Sequence, residues 1–284
     1  VFLGDNVYPA GIPELGRAER ADAVRRVDSQ IASVPQGARA VFIAGNHDWS
    51  DDGPFGLYAV RLQDQLISAR SRGKDVRMLP SNGCPGPVSL DAGRLRLIFI
   101  DSQWWLHPFI VRDSASNCPT NVGAITRALR EQVNAPGDGR IVMVAGHHPL
   151  ITGGVHGGYC GATGPFRRFG GNNQDIMSAV NRTLRDSLES AFAEHPPLVY
   201  AAGHDHSLQV LRGTSARYLL VSGAGSYRKT TCAVRLRESY FVTQRRSGFM
   251  RIDIMRGKGV LLRVFRYNSR GVGGLGYSRW LEPR

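Results

Sequence analysis

The sequence predicts a layered α/β fold, because short apolar runs of strand length alternate with segments of helical periodicity. Near the end of the chain the pattern changes to two segments in which apolar and polar residues alternate. We find neither a linker nor an internal repeat, and 284 residues suffice for one large domain. We therefore expect a single domain over residues 1–284, with residues 267–284 as a C-terminal tail.

Five apolar runs, each bounded by Gly or polar residues, predict buried strands. They span residues 41–44, 95–100, 141–145, 198–202 and 218–222. The alternating segments 248–255 and 259–267 flank Arg256-Gly257-Lys258. They predict a hairpin with one face exposed to solvent.

Three segments with apolar residues three or four positions apart predict helices that bury one face. They lie within residues 13–34, 121–133 and 173–192, and the second begins at an Asn121 cap. The predicted apolar stripes are, in chain order, Val24, Val27, Ile31 and Val34; Ile125, Leu129 and Val133; and Ile176, Val180, Leu184, Leu188 and Phe192.

The chain carries a net charge of +13, from 36 basic and 23 acidic residues. The excess is nearly all arginine, and it forms no dense basic run beyond Arg245-Arg246. We therefore expect no dedicated nucleic-acid site. No apolar run approaches the roughly 20 residues that a membrane helix needs, so we expect no membrane span. The sequence assigns no oligomeric state.

The four cysteines are Cys84, Cys118, Cys160 and Cys232, and none belongs to a Cys-x-x-Cys pair. An even number of loop cysteines fits one or two disulfides in an exported protein, and it also fits four free thiols. We favour export to the periplasm or the cell exterior. The chain has no starting Met and opens in mid-pattern, which predicts a mature or trimmed piece.

Four apolar segments end in a Gly that is followed by side chains of the kind that bind metals. These side chains are Asp5, Asn6 and Tyr8; Asn46, His47 and Asp48; His147 and His148; and His204, Asp205 and His206. In open α/β sheets, ligands bind in the crevice outside the carboxyl ends of the strands. A donor set of oxygen and nitrogen without thiolate suits Zn, Fe or Mn, and a tyrosine favours a ferric ion.

The ordered motifs Gly-Asp-x-x-Tyr, Gly-Asn-His-Asp, Gly-His-His-Pro and Gly-His-Asp-His resemble the calcineurin-like metallophosphoesterases. Tyr8, three residues after Asp5, narrows the resemblance to the purple acid phosphatases. The stretches GDNVYPAG, AGHHPL, GHDHSLQ and VSGAGS look like the tartrate-resistant acid phosphatase branch of that family. The resemblance runs from about residue 1 to about residue 265. It implies an α/β/β/α sandwich, in which two packed mixed β-sheets are flanked by helices.

The resemblance also implies a site with two metal ions, Fe(III) and a divalent Fe, Zn or Mn. Asp5 would bridge the two ions, with Tyr8 and His206 on the ferric ion. The divalent ion would be bound by Asn46, His147 and His204. His47 and His156 would be catalytic residues that face the substrate, and Asp48 would support its loop from outside the ligand set.

The function implied by the resemblance is acid phosphatase-like hydrolysis of small phosphate monoesters. A metal-activated hydroxide would attack phosphorus, and the two catalytic histidines would assist the departing oxygen. The alternatives are a phosphodiesterase or nucleotide hydrolase, and a non-catalytic remnant that binds a metal or an anion. The non-catalytic remnant is an alternative because members of the family have a further strand before the Gly-Asp motif, and that strand supplies an Asp that binds metal. Here only three residues precede Gly4, so we expect that strand to be missing.

Several other polar residues are expected to lie outside the site. We expect His107, His148 and His195 to be structural. Asp101 ends an apolar strand, but the resemblance gives it no ligand role. Asp205 stands between two expected ligands and should point away from them.

Overall fold

The computed structural model describes residues 1–108, 118–119, 121–135, 139–169, 171–226, 230–268 and 270–283, and shows a mixed α/β molecule with several sheets flanked by helices. Its strands are β1 (Arg39–Phe42), β2 (Asp75–Met78), β3 (Val88–Ala92), β4 (Leu95–Phe99), β5 (Ile141–Ala145), β6 (Val199–Ala202), β7 (Leu208–Arg212), β8 (Tyr218–Ser222), β9 (Ser239–Thr243), β10 (Ser247–Met255), β11 (Gly259–Tyr267) and β12 (Gly273–Pro283). Its helices are α1 (Arg20–Ala32), α2 (Gly56–Arg70), α3 (Gln103–Leu106), α4 (Val122–Asn134), α5 (Gly164–Arg168) and α6 (Ala179–Phe192).

The largest sheet has seven strands in the order β3-β4-β5-β6-β8-β7-β9. Its central strands β4, β5, β6 and β8 are parallel, and antiparallel strands close both edges. Because parallel strands end at the same edge of a sheet, the segments that follow β5 and β6 begin side by side. These segments carry His147 and His204.

The start of the chain lies beside β1, which pairs in parallel with β2. Phe2 forms a parallel bridge to Phe42, with its N–H 2.8 Å from the Val41 carbonyl oxygen. Ile43 donates its N–H to the Phe2 carbonyl oxygen at 3.0 Å, so the apolar run continues past the end of β1. Val41 and Ile43 pack on Phe99 and Ala145 of the large sheet. The segments that follow residue 3 and β1 are thereby held near the ends of the central strands.

The predicted hairpin is present as β10 and β11, which pair from Ser247–Tyr267 to Met255–Gly259. Residues 267–284 are more than the expected tail, because they contain β12, which adds a third antiparallel strand beside β11. The buried face of this three-stranded sheet packs on β5, β6, β7 and β8. Its main apolar residues are Val260, Leu262, Val264 and Leu281.

The helices pack in the other large apolar cluster, which includes residues of β4, β5, β6 and β8. α4 begins as predicted, because the Asn121 side chain accepts the Ala124 N–H at 2.8 Å, and it buries its predicted stripe. α1 begins only at Arg20, since Pro13 and Gly16, whose φ is +86°, interrupt the preceding segment. α6 likewise begins after Ile176, at a Ser178 cap. Among the described residues, no helix has both the length and the apolar character to cross a bilayer.

Candidate metal centre

Three side chains from different loops bring their donor atoms together in what we call the donor triangle: Asn46, His147 and His204. Asn46 Oδ1 lies 3.2 Å from His147 Nε2 and 3.2 Å from His204 Nδ1, and the two ring nitrogens are 3.2 Å apart. All three residues are buried. Two imidazoles and a carbonyl oxygen are donors that suit Zn, Fe and Mn.

Each residue of the donor triangle has a second polar atom, and the hydrogen bond of that atom decides which way the side chain is turned. His147 Nδ1 lies 2.7 Å from the Leu3 carbonyl oxygen, and His204 Nε2 lies 3.1 Å from the Gln174 carbonyl oxygen. A carbonyl oxygen only accepts, so each of these nitrogens carries a proton, and in the neutral ring the inward nitrogen keeps its lone pair. The Asn46 amide donates Nδ2–H to Asp51 at 3.0 Å, which turns its oxygen inward. Backing hydrogen bonds of this kind are typical of metal-binding histidines.

Asp5 connects the donor triangle with a second group, Tyr8 and His206, which we call the tyrosine pair. Asp5 Oδ1 lies 3.3 Å from His147 Nε2, while Asp5 Oδ2 accepts the Tyr8 hydroxyl at 2.8 Å. The Tyr8 oxygen is 2.8 Å from His206 Nε2. One carboxylate thus contacts both groups, one with each oxygen. The structure brings together all six side chains that the resemblance assigned to metal binding.

Glycines and strained residues permit this close approach. Asp5 has φ of +56° and His204 has φ of +61°, in the left-handed region that non-glycine residues rarely adopt. A Cβ on Gly4 would collide with the His147 ring, and a Cβ on Gly45 would collide with the Asp5 carboxylate. Gly is therefore required at these two positions, because donor side chains occupy the space beside it.

Asp48 holds two of the loops together from behind. Its buried carboxylate accepts the N–H groups of Asn6 at 3.0 Å, Val7 at 3.1 Å and Gly45 at 2.9 Å. Burial and the nearby Asp5 charge outweigh these donors and raise the pKa of Asp48 to about 6. This contact set agrees with the supporting role that we expected for Asp48.

His47 and His156, the two expected catalytic residues, flank the two donor groups. The His47 ring centroid is 4.1 Å from that of Tyr8, and the His156 centroid is 3.8 Å from that of His204. His47 Nδ1 is 2.5 Å from the Pro9 carbonyl oxygen, and His156 Nδ1 is 3.0 Å from Asp175. In the described part of the chain, no residue hydrogen-bonds Nε2 of either ring. Both rings are partly exposed, so these nitrogens are open to a ligand.

His148 lies close to His147 and His204, and the three rings alone would make a possible metal cluster. Both of its ring nitrogens are already used, however. Ser102 Oγ accepts the N–H groups of His147 and His148, so its own proton is directed to His148 Nδ1 at 2.8 Å. His148 Nε2 is 2.7 Å from Gln174 Oε1. We therefore read His148 as structural, and burial together with the His147 charge holds its pKa well below the usual value.

The protonation of the buried donors follows from burial and from their partners. Burial alone would raise the pKa of Asp5, but the charge of His147 and hydrogen bonds outweigh it, so the pKa is low. Burial would lower the pKa of His147, but Asp5 outweighs it and the pKa is raised. Burial and neighbouring histidines lower the pKa of His204, and burial with the Asp5 charge raises the pKa of Tyr8. A bound cation would favour the deprotonated form of each of these groups.

Other polar residues support the site, and the sequence analysis missed most of them. Asp205 points away from the donor triangle, as expected, but its carboxylate accepts the Thr152 hydroxyl at 2.5 Å and the His156 N–H at 3.2 Å. Asp101 accepts Trp49 Nε1–H at 2.8 Å and contacts no donor atom of the site by hydrogen bond. The sequence analysis gave Gln174 and Asp175 no site role, because they lie in no recognised motif and at polar positions of the predicted helix 173–192.

The four cysteines form two disulfides, Cys84–Cys118 and Cys160–Cys232, so the interpretation as free thiols is wrong. Cys160 follows the single 3₁₀ turn Val155–Gly157, which carries His156. Cys232 lies beside Thr231, which donates its N–H to the His206 carbonyl oxygen at 2.9 Å. The second disulfide therefore links the segment that carries His156 to a segment that hydrogen-bonds the main chain of His206.

No family model matches the chain, and no curated protein sequence matches it. Among solved structures, the chain is similar to one described as "GAP50 the anchor in the inner membrane complex of Plasmodium". The TM-score is 0.47 and the identity is 15%, over 85% of this chain and 65% of that chain. A likeness at this level says nothing about activity, so the function has to be argued from the site.

Proposed function

We propose that this chain is a metal-dependent phosphatase, a calcineurin-like metallophosphoesterase of the purple acid phosphatase kind. The observation that carries the proposal is the Asp5 carboxylate, which contacts the donor triangle with one oxygen and the tyrosine pair with the other. Two adjacent donor groups that share one carboxylate fit two cations. The inward nitrogens of His147 and His204 support the same interpretation, because in the neutral rings two lone pairs would face each other at 3.2 Å unless a cation lay between them.

The two donor groups differ in chemistry, which supports two different ions. The donor triangle offers two neutral nitrogens and an amide oxygen, which suit a divalent Zn, Fe or Mn. The tyrosine pair offers a phenol oxygen beside the Asp5 carboxylate, and two anionic oxygens suit Fe(III). Bound ions at these groups would polarise a phosphate ester and lower the pKa of water.

The residues of the chain itself would bind the substrate and handle a proton. His47 flanks the tyrosine pair and His156 flanks the donor triangle, so a small phosphate ester between them meets one imidazole from each side. Each Nε2 can donate a hydrogen bond to a phosphate oxygen when it carries a proton. The same nitrogen can pass that proton to the departing ester oxygen. We assign these roles to His47 and His156.

The proposal extends to the finer fold and to the compartment. We assign the seven-stranded sheet and the three-stranded sheet packed on it to the two sheets of the sandwich, with helices on the far face of the seven-stranded sheet. The three-stranded sheet is antiparallel rather than mixed, and among the described residues no helix covers its outer face. Two disulfides in 284 residues support an oxidising location, so we propose that the protein acts in the periplasm or outside the cell. No oligomeric state follows from these observations.

Turnover of p-nitrophenyl phosphate from acid to neutral pH, with metal analysis of the same protein, tests the proposal. We expect turnover, and we expect His47→Ala and His156→Ala each to lower kcat by about a hundredfold while both ions are retained. The matched control is His195→Ala, because His195 is exposed and belongs to no described hydrogen-bond network of the site.

Two results would overturn the proposal. Metal-loaded protein that turns over no phosphate ester would indicate a binding remnant. A strong preference for bis-p-nitrophenyl phosphate over p-nitrophenyl phosphate would indicate a phosphodiesterase.

A further inference from the structure

A buried carboxylate outside all four motifs contacts the ring of His156. Asp175 lies between α5 and α6 and is fully buried. Its Oδ1 is 3.0 Å from His156 Nδ1 and 2.6 Å from Arg167 Nη1. Asp175 therefore joins a ring at the site to a charged side chain on α5.

The backbone of His156 is fixed as firmly as its ring. Asp205 Oδ1 accepts the His156 N–H at 3.2 Å, and Ile176 donates its N–H to the His156 carbonyl oxygen at 3.0 Å. Ile176 directly follows Asp175, so one short segment holds both the main chain and the ring of His156. The ring cannot turn away without breaking the bond to Asp175.

The contacts of Nδ1 decide which ring nitrogen carries the proton in the neutral ring. Arg167 Nη1 lies 3.1 Å from His156 Nδ1, but a guanidinium only donates and a carboxylate only accepts. Nδ1 therefore either donates to Asp175 or accepts from Arg167. An unprotonated Nδ1 would set its lone pair against the carboxylate at 3.0 Å, and a hydrogen bond to a carboxylate is the stronger one. We assign the proton to Nδ1.

Arg167 keeps the buried carboxylate paired. Its side chain is mostly buried, and its Nε donates to Thr163 Oγ1 at 3.0 Å. A buried carboxylate without a cationic partner would be strongly disfavoured. The Cys160–Cys232 disulfide lies a few residues before α5 and ties this segment to the rest of the site.

We propose that Asp175 is a positioning residue for His156, with Arg167 as its ion-pair partner. Asp175 holds the proton of the neutral ring on Nδ1, so a second proton taken up by the ring lies on Nε2, the nitrogen that is available to a substrate. The use of Nε2 in phosphate ester hydrolysis rests on the proposed function. The tautomer and the orientation of the ring do not.

The tautomer is tested by long-range ¹H–¹⁵N correlation spectra of the full chain labelled at the histidine ring nitrogens. The protein is stripped of metal, and a second sample is reloaded with diamagnetic Zn²⁺. His156→Gln identifies the signals of this ring. We expect the neutral ring of the parent protein to carry its proton on Nδ1. Asp175→Ala should move the proton to Nε2, because Arg167 is then the remaining partner and it can only donate.

Two further variants keep the test decisive if Asp175→Ala fails to fold. Asp175→Asn keeps an accepting oxygen, and Arg167→Gln keeps the carboxylate, so both should retain the Nδ1–H form. Asp186→Ala, which removes an exposed carboxylate of α6, is the matched control. An Nε2–H tautomer in the parent protein, an unchanged tautomer in Asp175→Ala, or an Nε2–H tautomer in Asp175→Asn or Arg167→Gln would overturn the proposal.

Kinetics then test whether Asp175 acts through His156. Asp175→Ala should lower kcat for p-nitrophenyl phosphate by about tenfold to a hundredfold with unchanged metal content. In the His156→Gln background, Asp175→Ala should lower kcat by less than about twofold, because the residue that Asp175 positions is no longer present. Equal losses in both backgrounds would contradict positioning. If the parent protein hydrolyses no ester, the proposed function fails, while the spectra still decide the role of Asp175.

Discussion

The backbone is strained around the candidate metal centre and regular in the three-stranded sheet of β10, β11 and β12. Seven described residues other than glycine have positive φ, and five of them lie in the site loops. These five are Asp5, Ser50, Asp51, Asp52 and His204. The described residues of the three-stranded sheet include none of the seven. Strain of this kind costs free energy and persists only where the surroundings enforce it.

The two regions also differ in the surroundings of their carboxylates. In the three-stranded sheet, Asp253 pairs with Arg251 and Arg263 on the side that faces solvent. Around the site, the carboxylates of Asp48, Asp101 and Asp205 are buried and accept hydrogen bonds from neighbouring loops. Hydrogen bonds to buried carboxylates therefore help to hold the strained loops. This combination is expected where a fold maintains a binding site at a cost to its own stability.

The largest effect that this contrast predicts is on activity. Asp5→Asn should lower kcat for p-nitrophenyl phosphate by about a thousandfold, because it removes the charge that the two donor groups share. Asp253→Asn also removes one paired carboxylate, but from the three-stranded sheet, and should change kcat by less than about twofold. Steady-state kinetics of both variants at equal protein concentration make the comparison. Similar losses in the two variants would remove the distinction between the regions.

The next effect is on the free energy of unfolding. Asp48→Ala should lower it by about 3 kcal/mol, because several buried N–H groups lose a charged acceptor. Asp253→Ala should lower it by less, by about 1 kcal/mol, since the arginines that pair with Asp253 are partly exposed to solvent. Urea unfolding of metal-free protein measures both. An Asp48→Ala variant as stable as the parent would show that the loops are held by other contacts.

A third effect is a dependence of stability on pH. Burial outweighs the N–H donors around Asp101 and raises its pKa to about 7. The folded chain therefore holds a proton that the unfolded chain releases near pH 4. The stability linked to Asp101 is complete below that pH and is lost as the pH rises toward 7.

Urea unfolding of metal-free protein at several pH values checks this third effect. From pH 4 to pH 7, the Asp101 contribution to the free energy of unfolding should fall by about 3 kcal/mol. Asp101→Asn should lack this part of the slope. If the free energy of unfolding of Asp101→Asn depends on pH as steeply as that of the parent, the effect does not come from Asp101.

The smallest effect comes from backbone strain alone. Ser50 has φ of +60°. Ser50→Val should lower the free energy of unfolding by about 1 kcal/mol or more, because a β-branched residue is strongly disfavoured in the left-handed region. Ser50→Gly should stay within about 0.5 kcal/mol of the parent, since relief of strain is offset by the greater freedom of the unfolded chain. Thermal unfolding compares them, and a neutral valine would mean that the strain costs little.

Periodicity predicted the central strands and several helices because their apolar residues face a single core. It missed α2, whose buried face includes the polar Gln63, and it missed the short strands β2, β3, β7 and β9. β12 was also missed, because its glycines and alternating residues do not form an apolar run. Pairing with β11 supplies the order that its own sequence lacks.

The residues of the site were predictable to the extent that they follow apolar runs and glycines. Asp5, Asn46, His147 and His204 have that signal, and the structure brings them together. Asp175 and Arg167 have no such signal, since their importance depends on the path of the chain between α5 and α6. Sequence patterns report the ends of strands well, whereas they do not report which distant loop covers them.

The metal content of the purified chain tests the central claim most directly. We predict two ions per chain in the parent protein after exposure to iron and zinc and removal of free metal. Asp5→Asn should lose at least one of them, and His195→Ala should retain both. A parent protein that retains no metal, or an Asp5→Asn variant that retains both ions as firmly as the parent, would contradict the account.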